Sequence, residues 1–328
     1  MPVSEAVTSK AGSAFMMVAD FIAMCLYIIE GAFVSLFNGI VIVLIVTDRN
    51  LRQSSELLFI TGLCFADWID STGYFNAGIV RLRNIVLNRD DQPESSTSCF
   101  YTSYVTLFFY GYQVAPLMML IVSVERFLAV FSPVRHGSIS TSSRLFVMIC
   151  VLIWVSITYG VACYILAVEP SRTVTVQCFA AEVFGPELWA YVIGQRSIVI
   201  ILCVLIYIPI FVKTRQILKR KQENPKIQRF NTTMTLIVFS ALFLLAIPDT
   251  LCFFNVFGMS DYQIVFYIIS VNKSIVNVFV YTLRQRELKN KIVSVAKKVM
   301  CCWKTVAPTT LTLTTVTADV GRMSTVRQ

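Results

Sequence analysis

Ser123-Val-Glu125-Arg126-Phe127-Leu-Ala-Val-Phe131-Ser-Pro133 closes a long apolar run that begins near Tyr101. An unpaired arginine that deep in hydrocarbon costs about 2.5–3.5 kcal/mol on insertion scales. Arg126 therefore needs an acid or a water-filled cavity beside it, and Glu125 is such an acid. The same pattern also fits a helix end whose basic residue snorkels to the headgroups. The stretch alone leaves both readings open.

The rest of the chain calls for lipid as its solvent. It has 328 residues, 56% hydrophobic and 14% charged, with a mean hydropathy of +0.70, far too apolar for a water-soluble domain. A spanning helix needs roughly 20 mostly apolar residues. Seven segments qualify, at about 19–47, 54–80, 98–131, 145–168, 186–212, 231–257 and 262–283. Backbone in hydrocarbon must satisfy its own hydrogen bonds, so helices are expected. The fold class is then an all-α membrane protein: a seven-transmembrane helix bundle over 19–284 with a C-terminal amphipathic helix. An extracellular N-terminus (1–18), a membrane-surface helix (285–302) and a disordered cytoplasmic tail (303–328) complete the expected organisation. Met1–Lys10 lacks the basic start of a cleavable signal peptide, so the first helix is expected to direct its own insertion.

Lysine and arginine set the orientation. With the N-terminus outside, 21 of the 28 fall in cytoplasmic segments, notably between Lys213 and Arg229 and from Arg284 onward. That asymmetry fits the positive-inside rule with the C-terminus in the cytoplasm. The net charge of +9 is a topology signal and gives no reason to invoke nucleic acid.

Several residues within the spans are too polar for packing alone. The first helix carries Glu30 and Asn38, the second Asp67 and Asp70, which lie three apart near one face. Intramembrane acids need partners and mark functional sites by default. Of ten cysteines, Cys99 and Cys178 are the two at the outer side, where disulfides persist; a bridge between them is expected. Pro248 removes a backbone hydrogen bond and should kink the sixth helix. Residues 287–300 place Leu288, Ile292, Val295 and Val299 on one stripe among lysines, the pattern of a helix lying on an anionic leaflet. Cys301 and Cys302 follow directly and suit S-palmitoylation, or remain plain cytosolic thiols.

In order along the chain come Asn38, Ala66-Asp67, Cys99, Glu125-Arg126-Phe127, Trp154, Cys178, Tyr207, Pro248 and Asn277-Val-Phe-Val-Tyr281. By these landmarks the sequence resembles the rhodopsin-like G-protein-coupled receptors over about residues 19–300. Each motif is short; their joint order and spacing carry the likeness. Phe127 stands for the usual tyrosine, Val278 for the usual proline and Ala246 for the usual aromatic toggle. The fifth helix lacks its usual mid-helix proline, and Cys99 lies slightly further from Arg126 than is customary. This relaxed pattern is most similar to the nematode chemoreceptor families.

The resemblance implies a plasma-membrane receptor, not an enzyme, whose partners are a heterotrimeric G protein, a small ligand and the bilayer. Arg126 would pair with Glu125 at rest. On activation the sixth helix would swing out at Pro248, releasing Arg126 with support from Tyr207, Asn277 and Tyr281. Receptors of this kind often add an acid at the inner end of the sixth helix. Here Lys226-Ile-Gln228-Arg229 offers none, which predicts a low barrier to activation and basal signalling.

Two sites follow. In such receptors the second-helix aspartate holds a sodium ion. The helix-three position that helps is Ala115 here, and the seventh helix presents Lys273. The Lys273 ammonium is expected to replace the ion and pair with Asp67, with Asp70 as the competing partner. A retinal linkage would need the lysine two residues earlier, at Val271. The second site is the ligand pocket, expected among Tyr104, Phe108, Gln113, Gln195, Arg196, Asp249, Phe253, Asn255 and Asn272. A mostly apolar pocket with a few convergent polar groups suits a small organic ligand, and Arg196 favours an anionic group on it. The position of the amine-binding acid is Phe108, so an amine is not expected. Against the pocket reading, aromatics at helical spacing are more often packing than pocket.

A transporter would need internal repeats or paired broken helices, and a channel a selectivity ring; neither pattern is present. The single histidine, His136, lies in a predicted cytoplasmic loop, which argues against intramembrane histidine catalysis or a zinc site. No metal or cofactor is expected.

Overall fold

The computed structural model describes residues 3–53, 55–90, 92–168, 172–219, 235–254, 263–284, 288–295 and 297. They form seven long helices: α1 (Val3–Thr47), α2 (Ser55–Val86), α3 (Ser103–Phe131), α4 (Thr141–Val168), α5 (Ala180–Lys219), α6 (Thr235–Phe253) and α7 (Gln263–Arg284). α1, α3, α4, α5 and α6 contain spans long and apolar enough to cross a membrane. α2 is more polar because it carries Asp67 and Asp70, and α7 because it carries Asn272, Lys273 and Asn277. These are the polar and charged groups that the bundle interior has to satisfy.

α1 continues sixteen residues ahead of the start expected from hydropathy, while its apolar span begins at Val18. Hydropathy locates the membrane boundary and not the helix end. Tyr101 and Thr102 separate a short helix, Ser96–Phe100, from α3. Gly185, with φ +74°, likewise breaks the first turn of α5 from the remainder.

α3 is the hub, packing on α2, α4 and α5, while α7 closes the ring against α1 and α6. Small residues permit the close approaches. A Cβ on Gly31 of α1 would come within 2.6 Å of the Phe75 backbone nitrogen on α2, so the two helices meet backbone to backbone.

At the Cys99 end, β1 (Pro93–Ser95) pairs antiparallel with β2 (Thr173–Thr175). A disulfide joins Cys99 to Cys178 with the Cα atoms 5.4 Å apart. The expected kink in α6 is a wider turn: Leu242–Ala246 is π-helical, just ahead of Pro248. Pro248 has no N–H and would crowd the carbonyl a turn earlier; the inserted residue relieves that crowding. The Thr250 hydroxyl bonds to the Ala246 carbonyl at 2.7 Å.

Two compact units divide at Lys289 and Asn290. The helical residues 288–295 expose Lys289 and Lys291 and bury Leu288, with Ile292 and Val295 partly covered. Val299, Cys301, Cys302 and the tail lie outside the described residues.

Candidate functional site

Among the described residues, three ionic clusters stand along the bundle interior. The first lies where α2 meets α7. Lys273 Nζ donates to Asp67 Oδ1 at 2.6 Å and Ser274 Oγ donates to the same oxygen at 3.1 Å. Asn277 Nδ2 donates to Oδ2 at 2.8 Å. All four residues are almost wholly buried. Spacing explains the convergence: 273, 274 and 277 share one face of α7. Lys273 takes Asp67 and not Asp70. A sodium ion does not fit here, because the ammonium stands within hydrogen-bond distance of the carboxylate and supplies the same charge. Asn38 is buried on α1 and bonds its own helix, at the Val34 carbonyl (3.0 Å).

The second cluster joins four helices around Arg196. Its Nε lies 2.9 Å from Asp249 Oδ2 on α6. Its Nη2 donates to Ser270 Oγ on α7 at 3.2 Å. The guanidinium also lies over the Tyr112 ring of α3 at 4.8 Å, a favourable cation–π placement. Asp70 packs against Gly111, and its Oδ1 is buried without a hydrogen-bond partner among the described residues. The Gln195 amide is in the same condition. Unsatisfied buried groups of this kind are costly.

The remaining pocket residues do not all converge on this point. Tyr104 and Phe108 are buried and stack edge-on, with Phe108 also against Tyr74 and Tyr112; that is packing. Gln113 faces α4, where it accepts from the Thr158 hydroxyl at 3.1 Å. Asn272 bonds the Ile268 carbonyl of its own helix. Phe253 is 41% exposed at the end of α6 and lies against Phe254. Asn255 is outside the described residues.

The third cluster occupies the Arg126 end. Arg126 and Glu125 form an ion pair, both buried. Glu125 is shared. His136 Nε2 lies 2.6 Å and Arg144 Nη2 3.7 Å from its Oε1. His136 comes from the short helix Pro133–Ser138 and Arg144 from the first turn of α4. Sequence reading placed His136 in a loop and gave it no role; the signal was a basic group on the segment that folds straight back from Pro133. Tyr207 is buried, its hydroxyl without a hydrogen-bond partner among the described residues. Tyr281 is helical in backbone, and its side chain lies outside the described residues.

Arg81 was also missed. It is buried, donating from Nε to the Gln177 carbonyl (2.8 Å) and from Nη2 to the Cys178 carbonyl (3.1 Å). Phe179 and Tyr104 flank its guanidinium at 4.3 and 5.6 Å. It fastens the segment carrying Cys178 to α2, while the disulfide ties the same segment to Cys99.

No sequence among the curated proteins matches. Residues 32–296, most of the chain, match the family model described as Serpentine type 7TM GPCR chemoreceptor Srsx. With the helix bundle, the disulfide and the Glu125–Arg126 pair in place, the chain belongs to the Srsx family of serpentine seven-transmembrane G-protein-coupled chemoreceptors, a nematode family.

Proposed function

We propose that this chemoreceptor lies in the plasma membrane with its N-terminus outside. It binds a small non-amine ligand in the half of the bundle nearer Cys99, and activates a heterotrimeric G protein through Arg126 and outward movement of α6. The observation that carries this reading is the Arg196–Asp249 ion pair, set one residue beyond Pro248. It ties α6 to α5 at the hinge, while at the Arg126 end of α3 Arg126 is held on Glu125 of the same helix. An anionic group on the ligand would compete with Asp249 for Arg196. Loss of that tie would free α6 to pivot at its π-turn, and Arg126 would exchange Glu125 for the G protein.

Nucleotide exchange on co-expressed G proteins, without ligand, tests the reading. Basal exchange is expected from the unchanged chain and should fall to background in Arg126→Ala at matched surface level. Equal exchange in both would reduce Arg126 to a snorkelling residue.

His136 and Arg144 support a refinement. The segment 226–229, where an acid is missing, lies outside the described residues, and the two basic groups on Glu125 hold the resting state from another side. A hydrogen bond to a charged group contributes about 1.5–3 kcal/mol. His136→Ala should therefore raise basal exchange about tenfold per surface receptor. Unchanged exchange would remove His136 from the lock.

A further inference from the structure

A cavity of about 570 Å³ opens between α4 and the start of α5, away from the ionic clusters. Trp154, Ile157, Val161 and Ile165 form its α4 wall, and Leu188 and Tyr191 face them from α5. Trp154, Ile157 and Val161 are more than half exposed, and all lie within or beside apolar spans. In a bilayer such a wall meets acyl chains, so the cavity is entered from lipid. The Thr158 hydroxyl, its nearest polar group on α4, is already tied to Gln113 and to the Val155 carbonyl.

One end of the slot differs from the rest. A Cβ on Gly185 would lie 2.0 Å from Arg172 Nη1, so the guanidinium rests on glycine backbone where φ is +74°. Any other residue there would be strained and would push Arg172 off the mouth. Arg172 lines the cavity and makes no ion pair with a described residue, although Glu187 lines the same mouth. From Trp154 to Leu166 the α4 wall runs for about 18 Å at helical rise.

We propose that this cleft is a lipid-accessible site for a single-chain amphiphile with an anionic head, specifically a long-chain carboxylate. The chain lies along α4 and the carboxylate meets Arg172. Charge complementarity selects the head, and a volume of about 570 Å³ suits one chain and not the two of a bilayer phospholipid. The site is separate from the Arg196 cluster, and its occupation would act on α5, the helix that carries Arg196 and Tyr207.

The test uses the intact receptor in phosphatidylcholine nanodiscs and a photoreactive diazirine analogue of palmitate, with labelled peptides located by mass spectrometry. Labelling should concentrate on residues 154–166 and 184–191 and be competed by palmitate but not by hexadecanol. Val161→Trp, which fills the slot from an exposed position, should cut labelling about tenfold. Arg172→Gln should abolish the preference for the acid over the alcohol, a loss of about tenfold for one ion pair. Thermal melting of both variants checks that they remain folded. Labelling spread evenly over the lipid-facing helices would mean annular lipid only and overturn the proposal. So would labelling unchanged by Arg172→Gln, which stands even if the tryptophan variant unfolds.

Discussion

Lys273→Met is expected to lose most of its surface expression. The substitution leaves Asp67 buried with only Ser274 and Asn277 as donors, and neither brings a charge. Breaking a buried ion pair from one side costs about 3–5 kcal/mol, a large share of the 5–15 kcal/mol that holds a typical domain folded. Asp67→Asn should be nearly as damaging, because it strands the ammonium. The double variant Asp67→Asn with Lys273→Met removes both charges, and so should recover much of the surface level. A double-mutant cycle, read as melting temperature in detergent, then isolates the coupling. Additive losses would separate the two residues, and full expression of Lys273→Met would discard the pair as a structural element. The same geometry predicts that basal exchange is indifferent to replacing sodium by choline at constant ionic strength. A sodium dependence comparable with that of sodium-binding receptors would place an ion beside Asp67 despite the lysine.

How much of this was legible beforehand depended on whether a residue's partner was fixed by local spacing or by loop return. The cost of an isolated charge in a hydrophobic helix marked Asp67, Asp70 and Lys273, and the receptor resemblance, whose helix-two aspartate holds a cation, chose Asp67 over Asp70. Cys99 and Cys178 could be paired because the other cysteines lay within spans or on the basic side. The ends of the chain's helices were less legible: hydropathy marks solvent boundaries, so α1 ran on past its span and α5 began with a separate turn before Gly185. The grip of His136 on Glu125 depends on how Ser132 and Pro133 turn the chain. Arg81 depends on where the segment before Phe179 lands. Neither path is encoded in periodicity. Phe253 is exposed at the last residue of its helix, against Phe254, and nothing in the apolar pattern distinguishes that end from the pocket.

The Arg196–Asp249 pair carries the other large expectation. Asp249→Asn weakens the tie between α5 and α6 at the hinge, leaving Arg196 with Ser270 and the face of Tyr112. If the pair is a latch, basal exchange per surface receptor should rise about tenfold or more. A net contribution of about 1.5 kcal/mol to the resting state suffices for that change. Arg196→Gln should do the same from the other side. Both should also lower melting temperature, since each leaves a buried polar group short of its partner. A loss of stability alone would not distinguish a latch from ordinary packing, so exchange has to be scaled to surface receptor. The exchanged pair, Arg196→Asp with Asp249→Arg, restores opposite charges across the same helices and should bring basal exchange back toward the unchanged level. Single variants that melt earlier yet exchange nucleotide at the unchanged rate would leave the pair a structural tie. In that case the ligand would have to reach α6 by some contact other than Arg196. A rise in the singles with reversal in the exchanged pair would make α6 release an electrostatic event, in which Arg196 and Asp249 do what the aromatic residue at Ala246 does in other receptors of this fold.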